Sequence, residues 1–217
     1  MLSHFTIDCV ILTFDKGELK VLLTERNRYP YKDWWALPGF FVGQYEEMEE
    51  AVHRILYELT GLDNIYMEQL AAFGGVKRHP EGRVLTVAYY TLVKYEDVKE
   101  KVKPVTDYMK SAKWFNVSDL PELAFDHKEI LDKNKKELKI KMSYAPIVFE
   151  LLPDKFTLTQ LQQICEVLLE KKLDKRNFRK KIQSQKYIKA LDEYQTGVSY
   201  RAARLYQFDE DEYPKLA

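Results

Sequence analysis

The chain has 217 residues, 46% of them apolar, which is enough for one large or two ordinary globular domains. Basic and acidic residues number 34 each, so the net charge is zero, and an even spread of that charge would argue against a nucleic-acid partner. No basic leader precedes an apolar stretch and no apolar run approaches the roughly 20 residues that span a bilayer, so we expect a soluble, cytoplasmic protein with no membrane partner.

The first half of the chain alternates strand and turn patterns. Residues 7–14 and 19–24 are rich in β-branched residues and flank Asp15-Lys16-Gly17, which predicts a hairpin. Residues 34–42 predict a short strand interrupted by Pro38-Gly39. Apolar residues at helical spacing predict a helix over 48–60, with Gly61 as its stop.

Further strands are predicted at 67–73, 84–93 and 112–117, and a charged amphipathic helix at 127–141. This mixed order, with few helices among many strands, predicts an α+β fold whose first domain is an α/β sandwich. Both cysteines, Cys9 and Cys165, lie in apolar runs and are predicted as small hydrophobic residues rather than a disulfide. The prolines near 146–153 mark a boundary, which predicts a first domain over 1–143 and a second over 144–217.

The second domain has the outline of a winged helix-turn-helix. Thr157 and Gln160 form a capping box, and Phe156 and Leu161 a hydrophobic staple, which together predict a helix that runs to about residue 169. Asp174 predicts the cap of a second helix over about 175–183. Strands at 187–191 and 203–208, joined by a loop, complete the pattern as a two-stranded wing.

One stretch of the first domain resembles a Nudix box. Trp35-Ala36-Leu37-Pro38-Gly39, then Glu46, then the run from Arg54 to Leu62 match the family pattern in spacing. The resemblance implies a Nudix α/β/α sandwich. It also implies metal ligands at positions 55, 58 and 59, which lie on one helical face in active members.

Most of those ligands are missing from this chain. Positions 55 and 59 are Ile and Leu, and only the carboxylate of Glu58 remains, with Glu46 as a second remnant. Hard cations such as Mg²⁺ need oxygen ligands, so we expect no required cofactor, and Mg²⁺ only if residual hydrolase activity persists. The alternative is a rebuilt metal site that uses the glutamates at 46, 47, 49, 50 and 58.

The neutral net charge conceals a basic segment near the C-terminus. Residues 171–204 contain eleven basic and three acidic residues, so this segment carries +8 and the remainder −8. Phe178 and Ile182 form the inner face of the second helix. The predicted contacts with DNA are Lys175, Arg176, Asn177, Arg179, Lys180 and Gln183 on that helix, and Arg201 behind the wing. A merely solvated basic face, or an RNA or protein partner, is the alternative.

The combination resembles the Nudix-related transcriptional regulators of the NrtR and AraR types. Residues 72–75, 83–90, 125–127, 156–162 and 174–180 carry the resemblance and look closest to the sugar-responsive AraR type. It implies a homodimer that leaves its double-stranded DNA operator when a small effector binds, the effector being ADP-ribose in one branch and a pentose in another. Position alone suggests as pocket residues Trp34, Trp35, Arg78, Arg83 and Tyr89.

The leading hypothesis is therefore a ligand-responsive, DNA-binding regulator, a repressor of sugar or NAD-related genes whose Nudix domain senses a sugar or ADP-ribose-like effector. The rival is a Nudix hydrolase that cleaves ADP-ribose or another nucleoside diphosphate derivative, which Glu46, Arg54 and Glu58 favour. A third class is a non-catalytic adaptor that binds a nucleotide and a protein partner.

Overall fold

The computed structural model describes residues 4–143, 145–197, 199 and 202–213. The strands are β1 Phe5–Asp15, β2 Glu18–Arg26, β3 Trp35–Ala36, β4 Gly39–Phe41, β5 Glu68–Phe73, β6 Leu85–Lys94, β7 Met109–Asn116, β8 Ile188–Tyr194 and β9 Arg204–Phe208. The helices are α1 Met48–Thr60, α2 Tyr95–Val98, α3 His127–Lys141, α4 Leu158–Leu169 and α5 Lys175–Gln183, with a 3-10 turn at Ile147–Leu151.

The first domain is built on a seven-stranded mixed sheet. Five strands follow the order β3-β2-β1-β6-β5, while β4 pairs with β1 and β7 with β2. The predicted hairpin forms β1 and β2, with Leu12 opposite Val21. Strand β1 also runs parallel to β6, a pairing between distant segments that sequence periodicity does not reveal. The sheet therefore places the start of β1 beside β4 and close to α1, the helix that contains the second half of the Nudix box.

Helices cover both faces of this sheet. Side chains alternate along a strand, so Ile7, Cys9 and Ile11 pack with α1 in one core, while Val10 and Leu12 pack in another. That second core also contains the apolar residues of α3 and α4. The predicted α/β/α sandwich, followed by a winged helix-turn-helix, is confirmed.

The second core continues from the sheet into the winged helix. Phe156, Leu161 and Ile164 are almost fully buried in the same cluster as Leu12 of β1 and Leu23 of β2. The predicted boundary between residues 143 and 144 lies after α3, yet no break in the core marks it. Because packed interiors transmit small displacements, a displacement within this core can reach the winged helix.

Most predicted elements occur where the periodicity placed them. The helices at 48–60, 127–141 and 175–183 have the predicted bounds. Helix α2 and the 3-10 turn were not predicted, because elements of four and five residues are too short to show a helical periodicity. Strand β8 runs on to Tyr194 rather than ending at residue 191. Within the described residues, no helix has the length and apolar character needed to cross a membrane.

Candidate effector pocket and nucleic-acid interface

The apolar residues at the metal-ligand positions of the box belong to the core. Helix α1 has an apolar stripe whose members include Ile55 and Leu59, and both are fully buried. Glu47 and Glu50 form a capping box at the start of the helix, and Gly61 ends it in the left-handed conformation. The helix is therefore held by its packing and its caps.

The two remaining carboxylates are both bound by one guanidinium. Arg54 donates to Glu46 through Nε at 2.6 Å and Nη2 at 2.8 Å, and to Glu58 through Nη1 at 3.2 Å. Its Nη2 also donates to the carbonyl of Phe41 at 3.0 Å. The hydrogen bond from Arg54 lowers the pKa of Glu46, while burial opposes that shift. Arg54 thus ties the start of α1 to β4.

This donor set does not fit a divalent cation. Two carboxylates occupied by a cationic side chain, beside two buried aliphatic residues, offer too few free oxygen ligands for Mg²⁺. Within the described residues, no group of three or more His, Cys, Asp or Glu side chains is arranged to hold a metal. The described residues of the box therefore do not supply a complete set of ligands for Mg²⁺.

A small polar cavity of about 70 Å³ opens next to β4, at the start of β1. Residues from β1, β2, β4 and the segments on either side of the sheet converge there. The lining residues are Thr6, Asp8, Arg26, Gly39, Phe40, Phe41, Arg78, His79, Phe125 and His127. This volume is well below the 300–1,000 Å³ of sites for drug-sized ligands, so the cavity itself holds only a small polar group, and it is open to solvent on one side.

Buried charges form the floor of this cavity. Arg78 donates to Asp126 through Nε at 2.9 Å and Nη2 at 2.8 Å, and to Asp8 at 3.1 Å. His127 accepts a hydrogen bond at Nδ1 from the amide of Leu37, and its Nε2 lies 3.4 Å from Asp8. The network fixes all four side chains, three of which are almost completely buried.

These contacts determine the ionisation of the pocket. Burial disfavours the charged form of Asp8, but its electrostatic interaction and hydrogen bond with His127 and the charge of Arg78 keep its pKa below the ordinary value. Burial also opposes ionisation of Arg78, yet its hydrogen bond to Asp126 and the charge of Asp8 raise its pKa overall. The pocket therefore presents both carboxylate acceptors and guanidinium donors, which suit hydroxyl-rich or phosphate-bearing ligands.

Phe125 forms the aromatic wall of the cavity. The guanidinium of Arg26 lies 4.8 Å from its ring centroid, and the ring of His79 stacks on it at 5.2 Å with an interplanar angle of 17°. Burial, with the charges of Arg78 and Arg26, lowers the pKa of His79. Phe125 has a φ of +56°, a conformation that bulky residues rarely adopt, so surrounding contacts hold it under strain.

Gly39 is required for the close approach of β4 to this network. A Cβ at position 39 would lie 2.0 Å from Oδ1 of Asp8 and 2.8 Å from the carbonyl oxygen of Ile7. The glycine of the box therefore has a definite role here, which is to leave room for the carboxylate of Asp8.

Of the five pocket residues suggested by sequence position, Arg78 lines the cavity. Trp34 packs edge-on against Tyr31, and Trp35 packs against Phe115 beside the second core. Tyr89 is buried in the core beside α1, and Arg83 is exposed.

Asp8, Arg26, Phe125 and His127 were not among the predicted pocket residues. Asp8 is the one charged residue in the buried part of β1, residues 7–13, and an acidic residue inside such a run is the pattern that could have identified it.

The second domain positions α5 on the surface through a rigid turn. The predicted capping box of Thr157 and Gln160 begins α4. Glu166 of α4 accepts hydrogen bonds from Gln162 at 2.9 Å and from the amide of Leu173 at 3.0 Å, which fixes the turn. These bonds lower the pKa of Glu166 to about 2. Asp174 then caps α5 by accepting from the amide of Asn177 at 2.8 Å.

Most of the predicted DNA-contacting residues are exposed on α5. These are Lys175, Arg176, Asn177, Lys180 and Gln183. Arg179, which the helical projection placed on the outer face, is half-buried, and its Nε is fully enclosed. The amide of Gln183 donates to the hydroxyl of Tyr206 at 3.2 Å, so it faces the wing. Arg201 lies outside the described residues.

The charge of this helix is available to a partner. In the part of the chain that the structure describes, Lys175, Arg176 and Lys180 have no ion pair, whereas Arg204 and Lys189 beside the wing are paired with Asp192 and Asp209. An exposed helix with unpaired cations next to a two-stranded wing has the chemistry needed to bind a phosphate backbone and to contact bases.

Comparison with known proteins gives a family match for each of the two domains. The family model of the NUDIX domain matches residues 2–133, and the model of the NrtR DNA-binding winged helix domain matches residues 148–208. A relative from Acinetobacter baylyi, the ADPR responsive transcriptional repressor NtrR, is 34% identical over 96% of this chain and 83% of its own length.

Two solved structures from Shewanella oneidensis are also similar. NrtR complexed with a 27mer DNA superposes with a TM-score of 0.78 at 30% identity, over 97% of this chain and 95% of that one. The Nudix domain of NrtR complexed with ADP ribose superposes with a TM-score of 0.58 at 31% identity, over 64% of this chain and 90% of that one. The similarity thus covers both domains and their mutual arrangement.

Proposed function

Since the chain belongs to the Nudix-related transcriptional regulators of the NrtR type, we propose that it is a DNA-binding repressor controlled by a small effector. The observation that carries this proposal is the unpaired basic face of α5, joined through one core to a Nudix domain whose metal ligands are replaced. The proposed site of action is the cytoplasm, and the regulated genes are proposed to serve sugar or NAD metabolism.

Binding to an operator tests the DNA half of the proposal. Exposed arginine, lysine and asparagine on α5 suit contacts with phosphates and base edges in the major groove. Selection from random or genomic duplexes is expected to return a palindromic site, with an affinity that falls steeply as salt rises. Failure to enrich any sequence, with salt-independent or absent binding, would rule out the repressor.

We propose ADP-ribose as the first effector to test, because the relatives include an ADPR responsive repressor and a Nudix domain complexed with ADP ribose. The cavity of about 70 Å³ is smaller than a whole sugar, so it is proposed to receive one polar edge of the ligand while the remainder extends toward solvent. Asp8 and Arg78 are proposed to bind the hydroxyls, and Arg26 to face a phosphate.

A second candidate effector is a free pentose, because the carboxylate and guanidinium groups of the pocket also suit a hydroxyl-rich ligand without a phosphate. Thermal-shift measurements with ADP-ribose, ribose and L-arabinose, each with and without Mg²⁺, separate the two. A shift with ADP-ribose alone supports the nucleotide sensor, and a shift with a pentose alone supports the sugar sensor. No shift with any of them would refute this pocket assignment.

The rival hydrolase function is opposed by the geometry of the box. Arg54 occupies both surviving carboxylates, and Ile55 and Leu59 are buried. We expect no Mg²⁺-dependent turnover of ADP-ribose above the blank. Turnover at ordinary enzymatic rates that disappears in Glu58→Gln would restore the hydrolase interpretation.

A homodimer is proposed as the DNA-binding form, because a palindromic operator needs two winged helices related by twofold symmetry. Sedimentation of the full chain, alone and with a duplex containing the selected site, tests this. The expected complex contains two chains per duplex, and a single chain on a complete site would contradict it.

A further inference from the structure

Helix α3 connects the effector pocket to the winged helix. Its first residue, His127, lines the cavity together with Phe125, and Asp126 between them binds Arg78 of the cavity. Its apolar stripe lies in the same core as Leu161 and Ile164 of α4, and Lys135 pairs with Glu170, at the end of α4, at 2.7 Å. A displacement of α3 at the pocket would therefore reach the helix that supports α5.

The start of α3 lacks the cap that its sequence provides. Asp126 stands at the N-cap position, and aspartate there normally accepts a hydrogen bond from an amide of the first turn. Its side chain makes no such bond. Both of its oxygens accept instead from Arg78, at 2.9 and 2.8 Å. The pocket arginine thus holds the carboxylate of the residue that occupies the N-cap position of α3.

The middle of α3 also contains a buried polar side chain that has no hydrogen-bond partner among the described residues. Asn134 lies on the buried stripe and is fully buried, but among the described residues neither its amide nitrogen nor its amide oxygen has a hydrogen-bond partner. A buried side-chain amide without partners is unfavourable and is rarely retained without a reason. A shift of the helix would give this amide new neighbours.

We propose that Asp126 is a switch between Arg78 and the amides of the first turn of α3, and that α3 carries its state to the winged helix. An effector that engages Arg78 draws this guanidinium away from Asp126. The released carboxylate turns to cap α3, the helix moves relative to the sheet, and α4 moves with it. The inference rests on the proposed function for its effector, but the helix movement itself needs neither effector nor DNA.

Two substitutions at position 126 separate capping from simple loss of the ion pair. Asparagine caps helices well but lacks the charge that pairs with Arg78, so Asp126→Asn mimics the effector-bound state. Alanine loses both interactions. Hydrogen–deuterium exchange of the full chain, without ligand, then measures the first turn of α3, α4 and, as an internal control, α1, which packs in the other core.

We expect exchange in the first turn of α3 to slow by about threefold or more in Asp126→Asn but not in Asp126→Ala, with altered exchange in α4 and none in α1. In the double variant Asp126→Asn, Asn134→Leu, the change in α4 should fall by at least about half, since the buried amide no longer favours movement. Lys128→Ala, which breaks an exposed pair in the same turn, is the matched control.

Equal exchange in the asparagine and alanine variants, or an equal change in α1 and α4, would overturn the switch. Because this measurement requires no operator, its outcome is independent of whether the chain binds DNA. Failure of operator binding would refute the proposed function alone. If exchange confirms the switch, operator binding then tests its effect on DNA affinity. The operator Kd of Asp126→Asn is expected to be about tenfold higher than that of the parent.

Discussion

Replacing Gly39 with alanine is expected to block the effector pocket while the winged helix still binds DNA. The added Cβ would lie 2.0 Å from Oδ1 of Asp8 and 2.8 Å from the carbonyl oxygen of Ile7. Ordinary contact begins at 3.4 Å, so the carboxylate must move by about 1.4 Å, or β4 must separate from β1. Movement of the carboxylate disturbs its hydrogen bond of 3.1 Å with Arg78, and separation of β4 displaces a wall of the pocket.

The magnitude follows from this displacement. Overpacking of an interior costs about 1–3 kcal/mol, which lowers Tm by about 2–4 °C per kcal/mol in a chain of this size. Misplacing Asp8 also removes an acceptor from the effector, and a loss of about 1.4 kcal/mol in binding weakens it tenfold. We therefore expect at least about a tenfold higher effector Kd, with a modest loss of Tm.

The assay is a titration of the operator complex with the effector identified by thermal shift. Gly39→Ala should hold the operator at concentrations that release the parent. Gly75→Ala is the matched control, because a Cβ at position 75 meets only Cβ of Arg78, at 3.8 Å. An unchanged effector Kd in Gly39→Ala, or an equal loss in Gly75→Ala, would refute the placement of the pocket.

The remaining predictions concern the DNA helix, the box and the turn. The double substitution Arg176→Ala, Lys180→Ala should abolish operator binding at physiological salt in a gel-shift assay. It should lower Tm by no more than about 1–2 °C, because both side chains are exposed. Lys136→Ala, at an exposed position of α3, is the control and should change neither operator binding nor Tm. Ile55→Glu, which restores a carboxylate at a fully buried position, should destabilise the chain by more than about 3 kcal/mol in urea titration and yield no Mg²⁺-dependent turnover; an active, stable variant would contradict the core assignment. Glu166 has its pKa lowered from 4.5 to about 2, so its stabilisation of the turn is present above pH 4.5 and lost as pH falls toward 2. The difference in Tm between the parent and Glu166→Gln should therefore shrink over that range, and a constant difference would contradict this origin.

Local periodicity was sufficient to predict most of the elements, including the basic helix α5. The bounds of α1, α3 and α5 follow from apolar stripes and caps, and the exposure of Arg176 and Lys180 follows from their position opposite Phe178 and Ile182. These features depend on residues within two turns of each other, which the sequence presents directly.

The pocket could not be predicted in the same way, because it depends on contacts between distant segments. Asp8 meets Arg78 only because β1 pairs with β6 and β4, and His127 reaches Asp8 across more than one hundred residues of chain. The prediction of Trp34, Trp35, Arg83 and Tyr89 as pocket residues relied on their position in the sequence alone. Strand pairing decided instead which polar side chains converge.

The replacement of metal ligands by core residues is consistent with a sensor rather than a damaged enzyme. A sensor must release its effector unchanged, and a catalytic metal beside the pocket would hydrolyse the effector instead. In this chain Ile55 and Leu59 contribute to the packing of α1, and Arg54 binds Glu46 and Glu58 in a way that ties α1 to β4. The face that would bind metal therefore stiffens one side of the sheet. Helix α3 on the opposite side has no side-chain cap, and it contacts α4 of the winged helix, which also packs on β2. In the proposed switch, α3 is the element that moves.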